Sequence, residues 1–467
     1  MGTQVTMSKV ARTLALILLV AFPVSVFVAW GVRHSLNYGD RLTESQQRAL
    51  LWLADFPSTT IKIASAAYHQ SRVPLVDWLV EKRSFKPTEF FEKWPAPNDD
   101  GYLLFSGFSD ETDSAVVELI RISDGKLLMR WAPDWKEIAG RTTKKKFAWN
   151  DGSQESRAVH PVLLPDGDIV FNTGSALIRY DPCEQEADWL LDEVFHHSVE
   201  LGPDGTLWAP IVINDPFPEN SVLNRIVRDD GLAEVSLDGR ILQKISFSRV
   251  LLENDLRVLV LGLNDANFSY DFLHLNQITP AFVDGKRWKK GDLLVSSRRL
   301  SSVFIYRPST NSIVWHQMGP WLNQHSVAFY GDDSISVFDN NVVWGLPTAQ
   351  PFFTPDDHNR VIVFNLESQT WRDPFVEILS KYRPRSATQG RSQVLSDGGL
   401  FIEETNNGRL MRFSETGLMW SKINTYHEKY VAKLAWSRYI EKPAAELAIN
   451  SLLDRGCMGG FGSGVKK

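Results

Sequence analysis

The sequence predicts an all-β body, a six-bladed β-propeller, carried behind an N-terminal transmembrane helix and a short helical neck. Three observations lead there. An Asp-Gly-type turn running into an apolar strand recurs six times, a strand–turn–strand unit follows each copy, and an uninterrupted apolar run stands near the start of the chain. The 467 residues include 16 Trp and 26 Phe, an aromatic load that suits many short strands better than a helical bundle.

Taken in order, Lys9 and Arg12 precede the apolar run from Thr13 to Val32. At about 1.5 Å of rise per residue such a run is long enough to cross a hydrocarbon core as a helix. Ser25-Val26-Phe27 and Phe27-Val28-Ala29 are poor small-x-small cleavage sites, so the run reads as an uncleaved signal anchor. The basic start then stays inside and the body is exported. This gives a cytoplasmic segment 1–12, a span 13–32, and a location at the inner membrane with the body on the periplasmic or extracytoplasmic side.

Residues 33–92 read as the neck. Glu44–Ala54, Ile61–Ser71 and Leu75–Lys82 show helical spacing, and Pro57, Pro74 and Pro87 cut them into short pieces.

The body, 93–440, repeats itself. One half-motif occurs as DGYLLF at Asp100, PDGDIVF at Pro165, PDGTLWA at Pro203, KGDLLVS at Lys290, GDDSISV at Gly331 and SDGGLFI at Ser396. The other half follows each time and closes at Trp131, Trp189, Ser246, Trp315, Trp371 and Trp420. Asp-Gly between alternating apolar residues is a strong hairpin signal, because Gly supplies the positive φ that the turn needs. One such unit cannot bury both of its faces. Stacking six radially does so, and insertions are expected at Asp215–Leu232 and Leu251–Asp271. A β-sandwich is the alternative fold. Tyr426–Ile440 is expected to close the ring. Within 441–467, Pro443–Leu453 reads as a helix and Gly456–Lys467 as a Gly-rich tail.

Composition excludes several functions. A net charge of −6 without a basic stripe gives no reason to expect nucleic acid, and Lys144–Lys146 reads as a solvated loop. Two cysteines, Cys183 and Cys457, cannot build a Cys-ligated zinc site, and spacing does not say whether they pair. A quinone- or metal-dependent propeller oxidoreductase lacks any cofactor motif here. Oligomeric state, including a homo-oligomer, stays open.

Four stretches carry the candidate chemistry: FHHSVEL with His197, DFLHLNQI with His274 and Asn276, LLVSSRR with Arg298, and NQHSVAF with His325. His197 and His325 each stand seven residues before the turn residues Asp204 and Asp332. Equivalent positions on the innermost strands of successive blades face one axial funnel, so distant histidines converge there. Arg298 lies one strand further along from His274. A lone histidine at a strand start is more often a structural hydrogen-bonding group, the role expected of His160. His196 is expected to face away from His197, since side chains alternate along a strand.

In this order and company the motifs resemble the bacterial arylsulfotransferases that use no nucleotide sulfate donor, and Gly390-Arg391-Ser392-Gln393 is similar to that family's final blade. The resemblance runs from about His160 to Trp420. It implies a six-bladed propeller that moves a sulfuryl group from a phenolic sulfate ester to a phenolic acceptor by a ping-pong route. The Gln-His motif makes His325 the nucleophile that becomes a sulfohistidine. His197, His274 and Arg298 match residues that hold the sulfate and assist the leaving and attacking oxygens, and Asn276 joins His197 and Arg298 as a substrate-binding residue. No metal or diffusible cofactor is implied. This chain departs from many members in reading His-Ser, at Ser198 and Ser326, where His-Asp is common, which removes an orienting carboxylate. The alternative function is a catalytically inactive, membrane-anchored propeller that binds a ligand or a protein. Convergence of the four side chains favours the enzyme.

Overall fold

The computed structural model describes residues 79–457 except 83–84, 87–89, 144–156, 215, 219–220, 222–228, 263–270 and 346–349. The apolar run 13–32 expected to span a membrane, the preceding residues 1–12, nearly all of the expected neck, the lysine run and most of the Gly-rich tail lie outside the described residues. Among the described residues no helix is long and apolar enough to cross a membrane.

Six four-stranded antiparallel sheets make up the body. The first is Arg438–Ile440, Tyr102–Ser109, Ser114–Arg121 and Leu127–Trp131. The second is Val159–Leu163, Ile169–Asn172, Leu177–Asp181 and Glu186–Leu191, and the third Glu200–Leu201, Leu207–Ile213, Asp229–Val235 and Ile241–Ser246. Leu275–Pro280, Leu293–Ser297, Ser302–Arg307 and Ser312–Met318 form the fourth. The fifth is Val327–Tyr330, Ser334–Asp339, Arg360–Asn365 and Thr370–Arg372, and the sixth Arg391–Val394, Leu400–Glu404, Arg409–Ser414 and Gly417–Ile423. Each Asp-Gly-type repeat supplies the second strand of one sheet.

Strand alternation shares the core between neighbours. Leu104 packs with Phe171 and Tyr180 of the second sheet, while Leu103, one residue earlier, packs with Phe401 and Trp420 of the sixth. The same division holds from sheet to sheet. Shared cores join second to third, third to fourth, fourth to fifth and fifth to sixth. The first sheet is completed by Arg438–Ile440 pairing with Tyr102–Leu104, the closure expected of Tyr426–Ile440.

Three parts of the sequence reading need correction. Leu75–Lys82 was expected to be helical, but Leu79–Glu81 is a strand paired with Tyr430–Ala432, because a partner's open edge outweighs weak local periodicity. The insertion placed at Asp215–Leu232 runs into a strand, Asp229–Val235. A separate two-stranded hairpin, Val342–Gly345 with Gln350–Phe353, inserted between the second and third strands of the fifth sheet, was not foreseen. The insertion near Leu251–Asp271 is real and contributes two short helices, Phe247–Glu253 and Arg257–Leu261, that pack with the third and fourth sheets.

The expected C-terminal helix spans Lys442–Asp454, with Pro in its first turn and Ala445, Ala448 and Leu452 buried along one face. Leu452 sits over the turn glycine Gly167, whose φ of +93° only glycine adopts easily and where an added Cβ would meet Leu452 at 2.5 Å. Just past the helix, Cys457 forms a disulfide with Cys183, with Cα atoms 5.2 Å apart.

Candidate active site

The site begins with backbone that a regular strand does not provide. His160, His197 and His274 have φ values of +58°, +56° and +47°. This left-handed conformation is uncommon outside glycine and breaks the alternation of side chains at the start of each inner strand. In the fifth sheet Asn323 takes that conformation instead, at φ +52°, and His325 follows it by two residues. The equal spacing of His197 and His325 in the sequence therefore conceals different backbones. Their rings nevertheless reach the same place.

The His197 ring centroid lies 4.9 Å from that of His274 and 6.3 Å from that of His325. Arg298 Nη1 donates to His274 Nε2 at 3.4 Å, and Arg298 N bonds the carbonyl of His274, which anchors the arginine beside the histidine. All four side chains are buried, at 2% to 8% exposure. Thus the structure brings His197, His274, Arg298 and His325 together. Asn276 lies beside them: its Nδ2 donates to the carbonyl of Gln324, next to His325, and its Oδ1 has no hydrogen-bond partner among the described residues. That bond uses one of the two N–H donors on Nδ2.

Partners fix the protonation of each imidazole. His325 Nδ1 lies 2.6 Å from Asn340 Oδ1, and Asn340 Nδ2 donates to the carbonyls of Ser386 and Gln389. With its amide nitrogen so used, Asn340 presents oxygen, and His325 must carry its proton on Nδ1. Nε2 then keeps the lone pair. It is buried and has no hydrogen-bond partner among the described residues. Burial, with the nearby Arg298 cation, holds the His325 pKa well below the usual imidazole range, so the ring is neutral near pH 7.

His274 is bonded through Nδ1 to Asp271 Oδ2 at 2.6 Å. Burial lowers its pKa and Asp271 pulls the other way. His197 Nδ1 meets His196 Nδ1 at 2.8 Å, and His196 Nε2 is 3.5 Å from Asp230 Oδ1. The expectation that His196 faces away is therefore wrong, because the left-handed turn at His197 cancels the alternation. A carboxylate beside His196 Nε2 favours the proton there, which makes His197 the donor between the two rings. Burial, the surrounding imidazoles and the Arg298 cation hold His197 neutral. Burial lowers the Arg298 pKa to about 10, which leaves it cationic at neutral pH.

The serines after His197 and His325 do structural work: Ser198 Oγ accepts from Ile278 N, and Ser326 Oγ donates to the carbonyl of Ser392. The orienting groups absent from those positions come from elsewhere, as Asp271, Asp230 and Asn340. Asp271 stands inside the motif DFLHLNQI, where only His274 and Asn276 were expected to act, and neither Asn340 nor Asp230 was expected in the site.

A second buried group adjoins the first. The Trp436 ring lies 6.1 Å from His197 and 5.9 Å from His160. His160 Nδ1 accepts from Arg438 at 2.8 Å and Nε2 meets Gln277 Oε1 at 3.2 Å. Glu200 pairs with Arg438 at 2.8 Å and approaches Arg391 at 3.8 Å. His160 thus has the structural hydrogen-bonding role expected of it.

A profile of the arylsulfotransferase (ASST) family matches residues 160–425, more than half of the chain and all four residues of the cluster. No curated protein matches significantly. Among solved structures, a protein of unknown function from Bacteroides caccae is 13% identical, covering 74% of this chain and 100% of that one at a TM-score of 0.44. Hydrazine synthase from Kuenenia stuttgartiensis is 9% identical, with 71% and 80% coverage and a TM-score of 0.40. A β-propeller domain from Myceliophteria thermophila is 10% identical, with 74% and 87% coverage and a TM-score of 0.34. Likenesses this loose bear on neither mechanism nor substrate.

Proposed function

The chain belongs to the arylsulfotransferase family, and from that premise we propose that it transfers a sulfuryl group from an aryl sulfate to a phenolic acceptor through a sulfohistidine at His325. The observation that carries this reading is the state of His325: neutral, tied back through Nδ1 to Asn340, with a buried Nε2 that has no hydrogen-bond partner among the described residues. A sulfate monoester offers no carbonyl to attack, and charge spreads over its equatorial oxygens as the leaving oxygen becomes anionic, much as in phosphoryl transfer. Arg298 would meet those oxygens with a fixed cation, an effect worth about 10²–10³-fold in rate for a single preorganised donor. His197 adds a neutral donor or acceptor. A second imidazole, His274 or His197, handles the proton of the leaving and attacking oxygens.

We also read the six sheets as six blades around one axis, a reading that the cyclic order of their shared cores supports. Residues 13–32 would anchor this body to the inner membrane through the segment 33–92, on the extracytoplasmic side. The Cys183–Cys457 disulfide supports that side, since such bonds persist in oxidising compartments.

The test is a burst assay on the full-length chain with a chromogenic aryl sulfate, with and without a phenol. A stoichiometric phenolate burst, steady turnover only with acceptor, and loss of both in His325→Ala are expected. Absence of a burst from folded wild-type protein across a range of aryl sulfates would favour a propeller that binds without turnover.

A further inference from the structure

A pocket of about 630 Å³ lies between the strand Leu79–Glu81, with the residues after it, and the edge of the sixth sheet at Glu404 and Arg409. Its volume suits a small organic ligand. None of His197, His274, Arg298 and His325 lines it. Its walls are aromatic: Phe85 stacks on Phe90 at 4.0 Å with the ring planes 10° apart, and Phe353 and Tyr382 add two further rings. Arginines lie against two of these faces, Arg409 at 5.0 Å from the Phe90 centroid and Arg385 at 4.9 Å from that of Phe353. The helix Val376–Tyr382 ends at Arg383, whose left-handed φ of +43° turns the chain, and both Arg383 and Arg385 line the pocket.

Charge is unequal across this lining. Lys86, Arg383, Arg385 and Arg409 face only two carboxylates, Asp357 and Glu404. Asp357 is shared, its Oδ2 pairing with Arg383 at 2.6 Å and its Oδ1 with Arg385 at 2.9 Å. Glu404 Oε2 pairs with Arg409 at 2.6 Å, and its Oε1 accepts from the backbone N–H of Arg385. One carboxylate cannot neutralise two guanidiniums that carry five N–H donors each, so positive charge and donors remain for a ligand.

We propose that this pocket binds a planar aromatic anion, a ring bearing a carboxylate or a sulfate, with Arg383 and Arg385 on the anion and Phe90, Phe353 and Tyr382 against the ring. Guanidiniums recognise both anions through paired N–H donors, and the aromatic walls give the ring a surface to stack on. The ligand class includes the aryl sulfates of the proposed reaction. Binding here needs no transfer, so the proposal stands apart from the sulfohistidine.

The experiment is titration calorimetry of the full-length chain with naphthoate, beside its neutral counterpart naphthylmethanol, at low and at high salt. The acid should bind about tenfold tighter than the alcohol or better, and salt should weaken it by screening exposed charges. Arg383→Gln and Arg385→Gln should each weaken naphthoate about tenfold, and Phe353→Ala about 2–10-fold, whereas Arg298→Gln in the histidine cluster should leave its binding unchanged. The Arg383 and Arg385 side chains are 39% and 49% exposed, so their pairs with Asp357 contribute little to stability and both variants should fold. Naphthyl sulfate, titrated into His325→Ala where no transfer intervenes, separates the two anions: tighter binding of either one, weakened again by Arg385→Gln, names the source. No binding of naphthoate, equal affinity for acid and alcohol, or an affinity that falls in Arg298→Gln but in none of the three pocket variants overturns the proposal. So does adsorption to anionic phospholipid vesicles that depends on Arg383 and Arg385 while naphthoate does not bind, since the pocket would then be part of a lipid surface.

Discussion

Left-handed backbone at His160, His197 and His274 costs about 1–3 kcal/mol at each residue, and in this chain it turns three imidazoles off the strands they introduce. Trp436, at φ +66°, does the same before the strand that completes the first sheet. Its backbone is held by the buried Glu403, which accepts from the amides of Trp436 and Ser437. The four grouped residues were legible in the sequence because motifs carried them. The left-handed turns were not, since no glycine marks them, and this is why His196 was misplaced. Asp271 could have been noticed, as it precedes His274 by only three residues. Asp230 and Asn340 lacked that closeness: Asp230 reaches His196 from the strand Asp229–Val235, and Asn340 lies 15 positions beyond His325, just past the strand Ser334–Asp339. Asn340→Ala removes the acceptor that fixes the His325 tautomer. It should slow the burst about 10–100-fold per folded molecule and also lower the denaturation midpoint, since the carbonyls of Ser386 and Gln389 lose that donor, which a stopped-flow trace beside a melting curve would show.

The elements that frame the body divide differently. All six Asp-Gly-type repeats became second strands, because a turn that needs positive φ and an alternating apolar segment are both local properties. The strand Leu79–Glu81 depends wholly on Tyr430–Ala432 and leaves little local trace. The C-terminal helix was legible from its apolar face, but its fastening was not. Arg455 just beyond it pairs with Asp168 and Asp181, and the disulfide spans 274 residues of sequence. Cys457→Ser should cost about 2–4 kcal/mol of stability. Denaturant titration of the variant and of reduced wild type should give coincident midpoints, both below that of the oxidised protein.

For the molecule as a whole, the buried histidines set the response to acid. His160, His197 and His325 have pKa values held well below 6.5 by burial, and that of His274 is lowered too. Above that value both folded and unfolded chains keep them neutral and nothing is lost. As pH falls through 6.5 the unfolded chain takes up protons that the folded one refuses, so stability drops by roughly 1 kcal/mol per strongly shifted histidine over the first pH unit. Asp229, pushed up to about 6 by burial, acts in the opposite sense below that pH, since the folded state then binds the extra proton. Three strongly shifted histidines outweigh it. The urea midpoint should therefore be lower at pH 5.5 than at pH 7.5, and replacing His160 by Gln should reduce that difference.

Pairing Arg438–Ile440 with Tyr102–Leu104 also sets a timetable for biosynthesis. The ribosome delivers residues 102–131 early, and they must wait with an exposed strand edge, a surface that recruits other chains, until codons 438–440 have been read. The first sheet begun is the last one finished. A ribosome stalled or a message cut after codon 325 and before codon 438 releases a chain that holds every histidine of the cluster and still has an open edge to mark it for proteolysis.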